Sequence, residues 1–134
     1  MTTYTIDTEN NITAFATKHA VESYGYRFDT PDRSIVISGD TSPAQATIDA
    51  CHGCDIMIHE VNSLASLANR PPAFQAFAAK YHTTTAQLAD LATRAKPRLL
   101  ILYHLQGSSP DELFREMVNR YNGHVVVGRD LDVY

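Results

Sequence analysis

Polar side chains that could hold a metal ion follow three predicted strands, at the point where each strand ends. Asp40 follows a first apolar run, His59 and Glu60 end a second, and His104 follows a third. Where helices connect parallel strands, the loops at the strand C-termini converge and bind ligands. Imidazole and carboxylate groups are ligands that Zn²⁺ accepts. One such residue alone would be an ordinary turn residue or structural histidine, but their recurrence favours a metal site.

His82 is a candidate for proton exchange because it precedes a predicted helix and has the hydroxyls of Thr83 and Thr84 beside it. The positive end of a helix dipole disfavours a charged imidazole and so lowers its pKa. Such an imidazole exchanges protons near neutral pH. In the plainer interpretation, His82 is a polar residue ahead of a helix cap, and Glu60 is an ordinary buried strand-end carboxylate.

The elements that would position these residues form a β-meander followed by alternating helices and strands, which indicates a single α/β domain over residues 1–134. A hairpin turn is expected at residues 31–33, and Ser42 and Pro43 are expected to start the first helix. The predicted order is strands at 11–18, 24–29 and 34–38, a helix at 43–51, a strand at 55–60, a short helix within 61–69, helices at 73–81 and 83–95, a strand at 98–103, a helix at 110–122, and closing strands at 124–128 and 131–134.

Composition excludes several classes of protein. Hydrophobic residues make up 44% of the 134 residues and the net charge is -4, with no basic stripe of the kind that nucleic-acid binders carry. We therefore expect no dedicated nucleic-acid binding by this chain alone. No apolar run reaches the roughly 20 residues of a membrane helix, and the opening residues do not form a signal peptide. These features predict a cytoplasmic protein with no membrane partner.

Cys51 and Cys54 form a C-x-x-C pair, which can be redox-active or half of a zinc ribbon. A ribbon requires a second pair, which this chain lacks. A thioredoxin-like motif follows a strand and opens a helix, whereas this pair closes a predicted helix. We expect a helix C-terminus capped at Gly53 and two partly buried thiols.

Three segments resemble motifs of the metallo-β-lactamase superfamily. Residues 38–43 (SGDTSP) are similar to its SGDT segment, in which the Asp bridges two metals. Residues 16–28 resemble a stretch in which a His ligates one metal just before a GYR-containing strand. Residues 100–105 (LILYHL) resemble a segment whose His completes the second metal. The resemblance implies that His19, Asp40 and His104 are metal ligands.

Two further segments resemble the ribonuclease Z and arylsulfatase-like subgroup of that superfamily. Residues 55–60 (DIMIHE) look like its DlliHE segment, and residues 81–89 (YHTTTAQLA) look like its H-[ST]-T-x-x-Q-A segment. The resemblance implies that His82 donates a proton or stabilises the transition state, with Glu60 as its orienting partner. The implied activity is that of a metal-dependent hydrolase of phosphodiesterase or sulfatase type, acting on an ester that the sequence does not identify.

The H-x-H-x-D-H element of the superfamily, which supplies four metal ligands, is missing. No two histidines of this chain are separated by one residue. We therefore expect the C-terminal half of the fold, holding at most one ion per chain, Zn²⁺ with Mn²⁺ as the alternative. Without the other half, the isolated chain is expected to be inactive.

The resemblance also implies a fold of α/β class, bordering on α+β: half of an αββα sandwich, with one mixed sheet and helices on one face. The other sheet face would then be apolar and bare. We expect a second copy, or a separate chain carrying the N-terminal half, to cover it. The alternative is a non-catalytic, truncated module that dimerises through this face. A doubly wound nucleotide or phosphoacceptor domain built on Asp40 is a third possibility, but it lacks a glycine-rich phosphate loop.

Overall fold

The computed structural model describes residues 3–7 and 11–134, which form seven strands and five helices. Their bounds are β1 Thr3–Asp7, β2 Ile12–Ala16, β3 Tyr24–Asp29, β4 Ser34–Ile37, α1 Gln45–Cys51, β5 Ile56–Glu60, α2 Leu64–Ala68, α3 Pro72–Tyr81, α4 Thr85–Ala95, β6 Leu99–Tyr103, α5 Pro110–Val118 and β7 Val125–Val127. None of the helices described is long and apolar enough to span a bilayer.

The seven strands form one mixed sheet, in which they lie side by side in chain order. The pairs from β1 to β4 are antiparallel and those from β4 to β7 are parallel. Parallel neighbours need crossover connections, and the helices lie in those crossovers. The predicted mixed sheet and the β3–β4 hairpin are confirmed. Because β4, β5 and β6 run in the same direction, their C-terminal ends meet at one edge, which we call the carboxyl edge.

The start of α4 follows directly from its sequence. The Thr84 side chain accepts a hydrogen bond from the Gln87 backbone N–H, and the Gln87 side chain accepts one from the Thr84 backbone N–H. This capping box satisfies two backbone donors that no helical carbonyl could reach. The helix ends at Lys96, which adopts a left-handed conformation, and Pro97 follows. The helix predicted at residues 83–95 is therefore confirmed.

The hydrophobic core lies between one face of the sheet and a layer formed by α1, α4 and α5. Successive strand residues point to opposite faces, so only alternate residues enter this core. The strands contribute Phe15, Val36, Met57, Leu100 and Leu102, and the helices contribute Leu88, Leu91, Ala92, Leu113 and Met117. The expected arrangement of helices on one face is confirmed.

The opposite face carries two rows of apolar side chains that run across the sheet. The pairing register joins Ile12, Phe28, Ile35, Ile56 and Leu99 in one row, and Ala14, Tyr26, Ile37, Ile58, Ile101 and Val126 in the other. Most of these side chains are only partly buried, and we call the two rows the open sheet face. Its apolar character follows from strands that are hydrophobic at both alternating positions.

Several expected element boundaries are wrong. Residues 131–134 form no strand, and Leu131 and Val133 are 100% and 97% exposed. Strand β1 was not expected at all. The first helix begins at Gln45 rather than at Pro43, because Ala44 has an extended backbone (φ -126°, ψ 131°) and forms the N-cap. Helix α5 ends at Val118, before the expected end at residue 122.

The expectation of two partly buried thiols is also wrong. Cys51 and Cys54 form a disulfide, and both are 1% exposed. After α1 the chain turns through left-handed conformations at His52 (φ 40°), which is the helix cap, and at Gly53 (φ 83°). This turn brings the two Cα atoms to 4.7 Å, within the range in which a disulfide forms.

Candidate metal and proton-transfer site

The carboxyl edge brings together the polar residues that follow β4, β5 and β6. Asp40 follows Gly39, whose positive φ of 62° and tight approach to the Tyr24 carbonyl leave no room for a side chain. Glu60 is the last residue of β5, and His104 follows β6 in a left-handed conformation with φ 47°. These turns bend the chain at the strand ends, so the side chains face a common space above the edge.

Asp40, His82 and His104 offer ligand atoms that all lie within 4.8 Å of one another. His104 Nε2 and Asp40 Oδ2 are 3.4 Å apart, and both side chains are about half exposed, at 44% and 41%. His82 is nearly buried. One carboxylate and two imidazoles are a donor set that suits a divalent cation such as zinc. Within the described residues, the arrangement fits one ion, with a coordination position left for solvent or substrate.

His19, which the sequence analysis proposed as a ligand, stands beside this group. It lies in the loop after β2, and its Nδ1 is 3.1 Å from the Tyr81 carbonyl oxygen. Its ring centroid is 5.0 Å from that of His82. The loop after β2 thus brings His19 beside His82, but His19 is not one of the three residues whose ligand atoms lie within 4.8 Å of one another.

Glu60 is fully buried, and four donors surround its carboxylate. Its Oε1 receives the Thr41 backbone N–H at 2.7 Å and lies 2.8 Å from His82 Nδ1. Its Oε2 receives the Thr83 backbone N–H at 3.2 Å and the Gln106 side-chain amide at 3.0 Å. Burial raises the pKa of Glu60 to about 7, and the two backbone hydrogen bonds oppose that rise. A carboxyl group that titrates near neutrality suits proton transfer.

The pKa of His82 is lowered, first by burial and then by the positive charge of nearby His19. The direction of this pKa shift agrees with the expectation from the sequence, but its main cause is burial and not the dipole of the following helix. Because Nδ1 faces Glu60, Nε2 is the ring nitrogen left to face a ligand or a substrate. The Glu60–His82 contact thus fixes how the imidazole is presented at the carboxyl edge.

Gln106 and Asn62 complete the surroundings of Glu60, and the sequence analysis missed both. Gln106 Nε2 lies 2.9 Å from His82 Nδ1 as well as 3.0 Å from Glu60 Oε2. The Asn62 side-chain amide donates to Gln106 Oε1 at 2.9 Å, which orients the Gln106 amide towards the site. The position of Gln106 two residues after His104 was the one available signal.

Comparisons with known proteins agree with this fold. A family model described as a Beta-lactamase superfamily domain matches residues 1–105. The chain is 31% identical over 105 residues to the ribonuclease Z of Natronomonas pharaonis, a match that covers 76% of this chain and 32% of that protein. The chain therefore spans about a third of the length of that relative.

Two solved structures resemble the chain in fold. The metallo-beta-lactamase fold protein YhfI from Bacillus subtilis superposes with a TM-score of 0.75 at 23% identity, covering 92% of this chain and 48% of that one. The short form of human tRNase Z superposes with a TM-score of 0.69 at 23% identity, covering 98% of this chain and 46% of that one. In both cases the chain corresponds to about half of the larger fold.

Proposed function

The chain belongs to the beta-lactamase superfamily, and we propose that it supplies the C-terminal half of the active site of a metal-dependent phosphodiesterase. The observation that supports this most directly is the grouping of Asp40, His82 and His104 within ligand distance at the carboxyl edge. The similarity to ribonuclease Z supports a phosphodiester substrate. A sulfate ester has comparable charge and shape and is the alternative substrate.

Asp40, His104 and His19 are our proposed ligands for one Zn²⁺, with Mn²⁺ as the alternative ion. A cation held by these residues would act as a Lewis acid on the bound ester. His104 Nε2 and Asp40 Oδ2 are 3.4 Å apart, and the His19 ring lies beside His82, with ring centroids 5.0 Å apart. In the alternative arrangement, His82 and not His19 is the third ligand. The variants described below distinguish these two ligand sets.

His82 is our proposed proton donor. When its ring is protonated, Nδ1–H donates to Glu60, and Nε2–H is the proton that can pass to the leaving oxygen. The lowered pKa of His82 makes it a stronger acid than an ordinary imidazolium. Glu60 acts as a positioning residue, because its remaining contacts hold it to the backbone of Thr41 and Thr83.

The other half of the sandwich, we propose, is supplied by a second copy of this chain, with a separate chain as the alternative. Support comes from the open sheet face, whose two apolar rows extend across most of the sheet. Contiguous apolar surfaces of this kind are uncommon on proteins that remain alone in solution. The resemblance to roughly half of two larger structures supports the same proposal. Cytoplasmic location stays a prediction.

Metal content measured on purified protein tests the proposed site. We expect close to one Zn²⁺ per chain, lost in Asp40→Ala and His104→Ala but retained in the matched control His124→Ala, which removes an exposed histidine away from the site. Loss in His19→Ala with retention in His82→Ala supports the proposed ligands, and the reverse result assigns His82 as a ligand. Retention of zinc in Asp40→Ala would contradict the site.

Turnover measured on bis-p-nitrophenyl phosphate and on p-nitrophenyl sulfate tests the activity. Since half of the fold supplies only part of the ligand set, we expect little or no hydrolysis by the isolated chain with added Zn²⁺. Rapid hydrolysis that His82→Ala abolishes would show that no partner is needed. If the chain binds no metal yet self-associates through the open sheet face, the alternative function, a non-catalytic dimerisation module, is favoured.

A further inference from the structure

Helix α3 displays an aromatic surface that the rest of the chain does not bury. Only Ala78 of this ten-residue helix is buried, and Phe77 is 42% exposed. Residues four apart lie on the same side of a helix, which places Tyr81 next to Phe77, with ring centroids 5.0 Å apart. We call this pair, the exposed Phe77 and the half-buried Tyr81, the aromatic lip.

The aromatic lip is continuous with the candidate site. The centroid of the Phe77 ring is 5.6 Å from that of His82, and the Tyr81 ring is 5.9 Å from that of His19. The two histidines in turn are 5.0 Å apart. A substrate that places a planar group on the aromatic lip would therefore have its reacting atoms close to His82.

Two cations lie over aromatic rings of α3. Lys80 Nζ is 5.1 Å from the Tyr81 ring centroid, and the Arg70 guanidinium lies 4.3 Å above the Phe74 ring. A Cβ on Gly107 would be 3.9 Å from Arg70 Nη1, which places this guanidinium beside the loop that carries His104. In the part of the chain that the structure describes, neither cation forms an ion pair with a carboxylate. Positive charge without a carboxylate partner thus lies beside Tyr81 and beside the loop that carries His104.

We propose that the aromatic lip is a subsite for a planar aromatic group carried by a phosphate ester, with Arg70 and Lys80 neutralising the charge of the phosphate. Aromatic faces stack on Phe and Tyr rings, and arginine is well suited to phosphate recognition. This inference rests on the proposed function for the position of the phosphate at the carboxyl edge. The inference assigns a binding place to the aromatic part of the substrate, which the metal site itself does not contact.

The binding of two phosphonates to the full chain tests the subsite. Phenylphosphonate and methylphosphonate carry the same anionic group and resist hydrolysis, so they differ in the aromatic ring alone. In calorimetric titrations of the zinc-loaded chain, we expect phenylphosphonate to bind about fivefold more tightly, the size of one aromatic contact. Phe77→Leu should remove this preference while leaving the affinity for methylphosphonate unchanged.

Phe114→Leu is the matched control, because Phe114 is 44% exposed and lies on α5, where it lines a surface hollow with Val127 and Tyr134. It should keep the full preference for phenylphosphonate. Unfolding midpoints of both variants, measured alongside, show whether each remains folded. A preference lost equally in both variants would contradict a specific subsite.

Failure of the subsite and failure of the proposed function give different results. Equal affinity for the two phosphonates, with zinc still bound, would overturn the aromatic lip and leave the metal site intact. Absence of zinc together with a retained preference for phenylphosphonate would support the lip and contradict the metal site. If Phe77→Leu instead reduces self-association and leaves the preference unchanged, the surface is an interface between copies and the subsite is wrong.

Discussion

The two faces of the sheet differ in how far their side chains are covered. Strand β5 shows the difference, because it has side chains on each face. Met57 and His59 point into the core beneath the helices, whereas Ile56 and Ile58 belong to the open sheet face. Glu60 shares the side of the open sheet face but is fully buried, because loops from the carboxyl edge enclose it. The described residues thus satisfy the polar end of this side of the sheet, whereas they leave most of its apolar side chains partly exposed.

The largest expected difference between the two faces is in the free energy of unfolding that is lost when a side chain on each face is truncated to alanine. Leu100→Ala leaves a cavity under the helices and should lower the free energy of unfolding by roughly 2–5 kcal/mol at any protein concentration. Ile58→Ala should cost less in dilute protein, where the open sheet face is in contact with water, and more where the chain self-associates. Urea unfolding at two protein concentrations measures both. A cost for Ile58→Ala that is the same at both concentrations would contradict a second copy on this face.

His59 and Glu60 are neighbours in β5, but their titrations affect stability in opposite directions. Burial lowers the pKa of His59 to about 4, so between about pH 6.5 and 4 the unfolded chain binds a proton that the folded chain does not. Stability from His59 is therefore lost as the pH falls through that range. The pKa of Glu60 is raised to about 7, so the folded chain binds the extra proton between about pH 4.5 and 7. Stability from Glu60 is therefore lost as the pH rises.

The two titrations should largely cancel between pH 4.5 and 6.5 in the unmodified chain without metal. His59→Leu removes an imidazole whose Nε2 has no hydrogen-bond partner in the described structure, and it leaves the Glu60 titration visible. We expect the free energy of unfolding of this variant to fall as the pH rises through this range, by at most about 1.4 kcal/mol per pH unit. The slope is smaller just below pH 6.5, because the lowered pKa of His82 acts in the opposite direction there. Urea unfolding at several pH values checks the slope. A free energy of unfolding that rises with pH between 4.5 and 6.5 in His59→Leu would show that Glu60 titrates as an ordinary carboxyl, because only the His82 titration would then remain.

Much of the carboxyl edge could be predicted from the sequence, because it depends on local patterns. Apolar runs ending in Asp40, Glu60 and His104 indicate parallel strands, and parallel strands bring their ends to one edge of the sheet. The disulfide could not be predicted, since it depends on two consecutive left-handed residues after α1. The contact of Gln106 with Glu60 could not be predicted either, because proximity to His104 in the sequence does not give the direction of a loop side chain, which here depends on the left-handed φ of 52° at Gln106.

Replacing Gln106 should have the smallest effect on stability. This substitution tests how much one hydrogen bond to the buried Glu60 carboxylate contributes. Gln106→Ala removes one donor from the buried Glu60 carboxylate and should lower the free energy of unfolding by about 1–3 kcal/mol. Gln75→Ala is the matched control, because the Gln75 amide bonds only backbone carbonyls near α3 and should cost less.

If the role of Gln106 is purely structural, Gln106→Ala changes the free energy of unfolding and nothing else. A positioning role predicts in addition that the ring nitrogen resonances of His82, followed by ¹⁵N NMR, shift in Gln106→Ala and remain in place in Gln75→Ala. Asn62→Ala should give the same shift in weaker form, because Asn62 acts on His82 only by orienting the Gln106 amide. If the His82 resonances stay unchanged in Gln106→Ala, then Glu60 and the backbone around it suffice to hold the imidazole, and the amide pair contributes to folding alone.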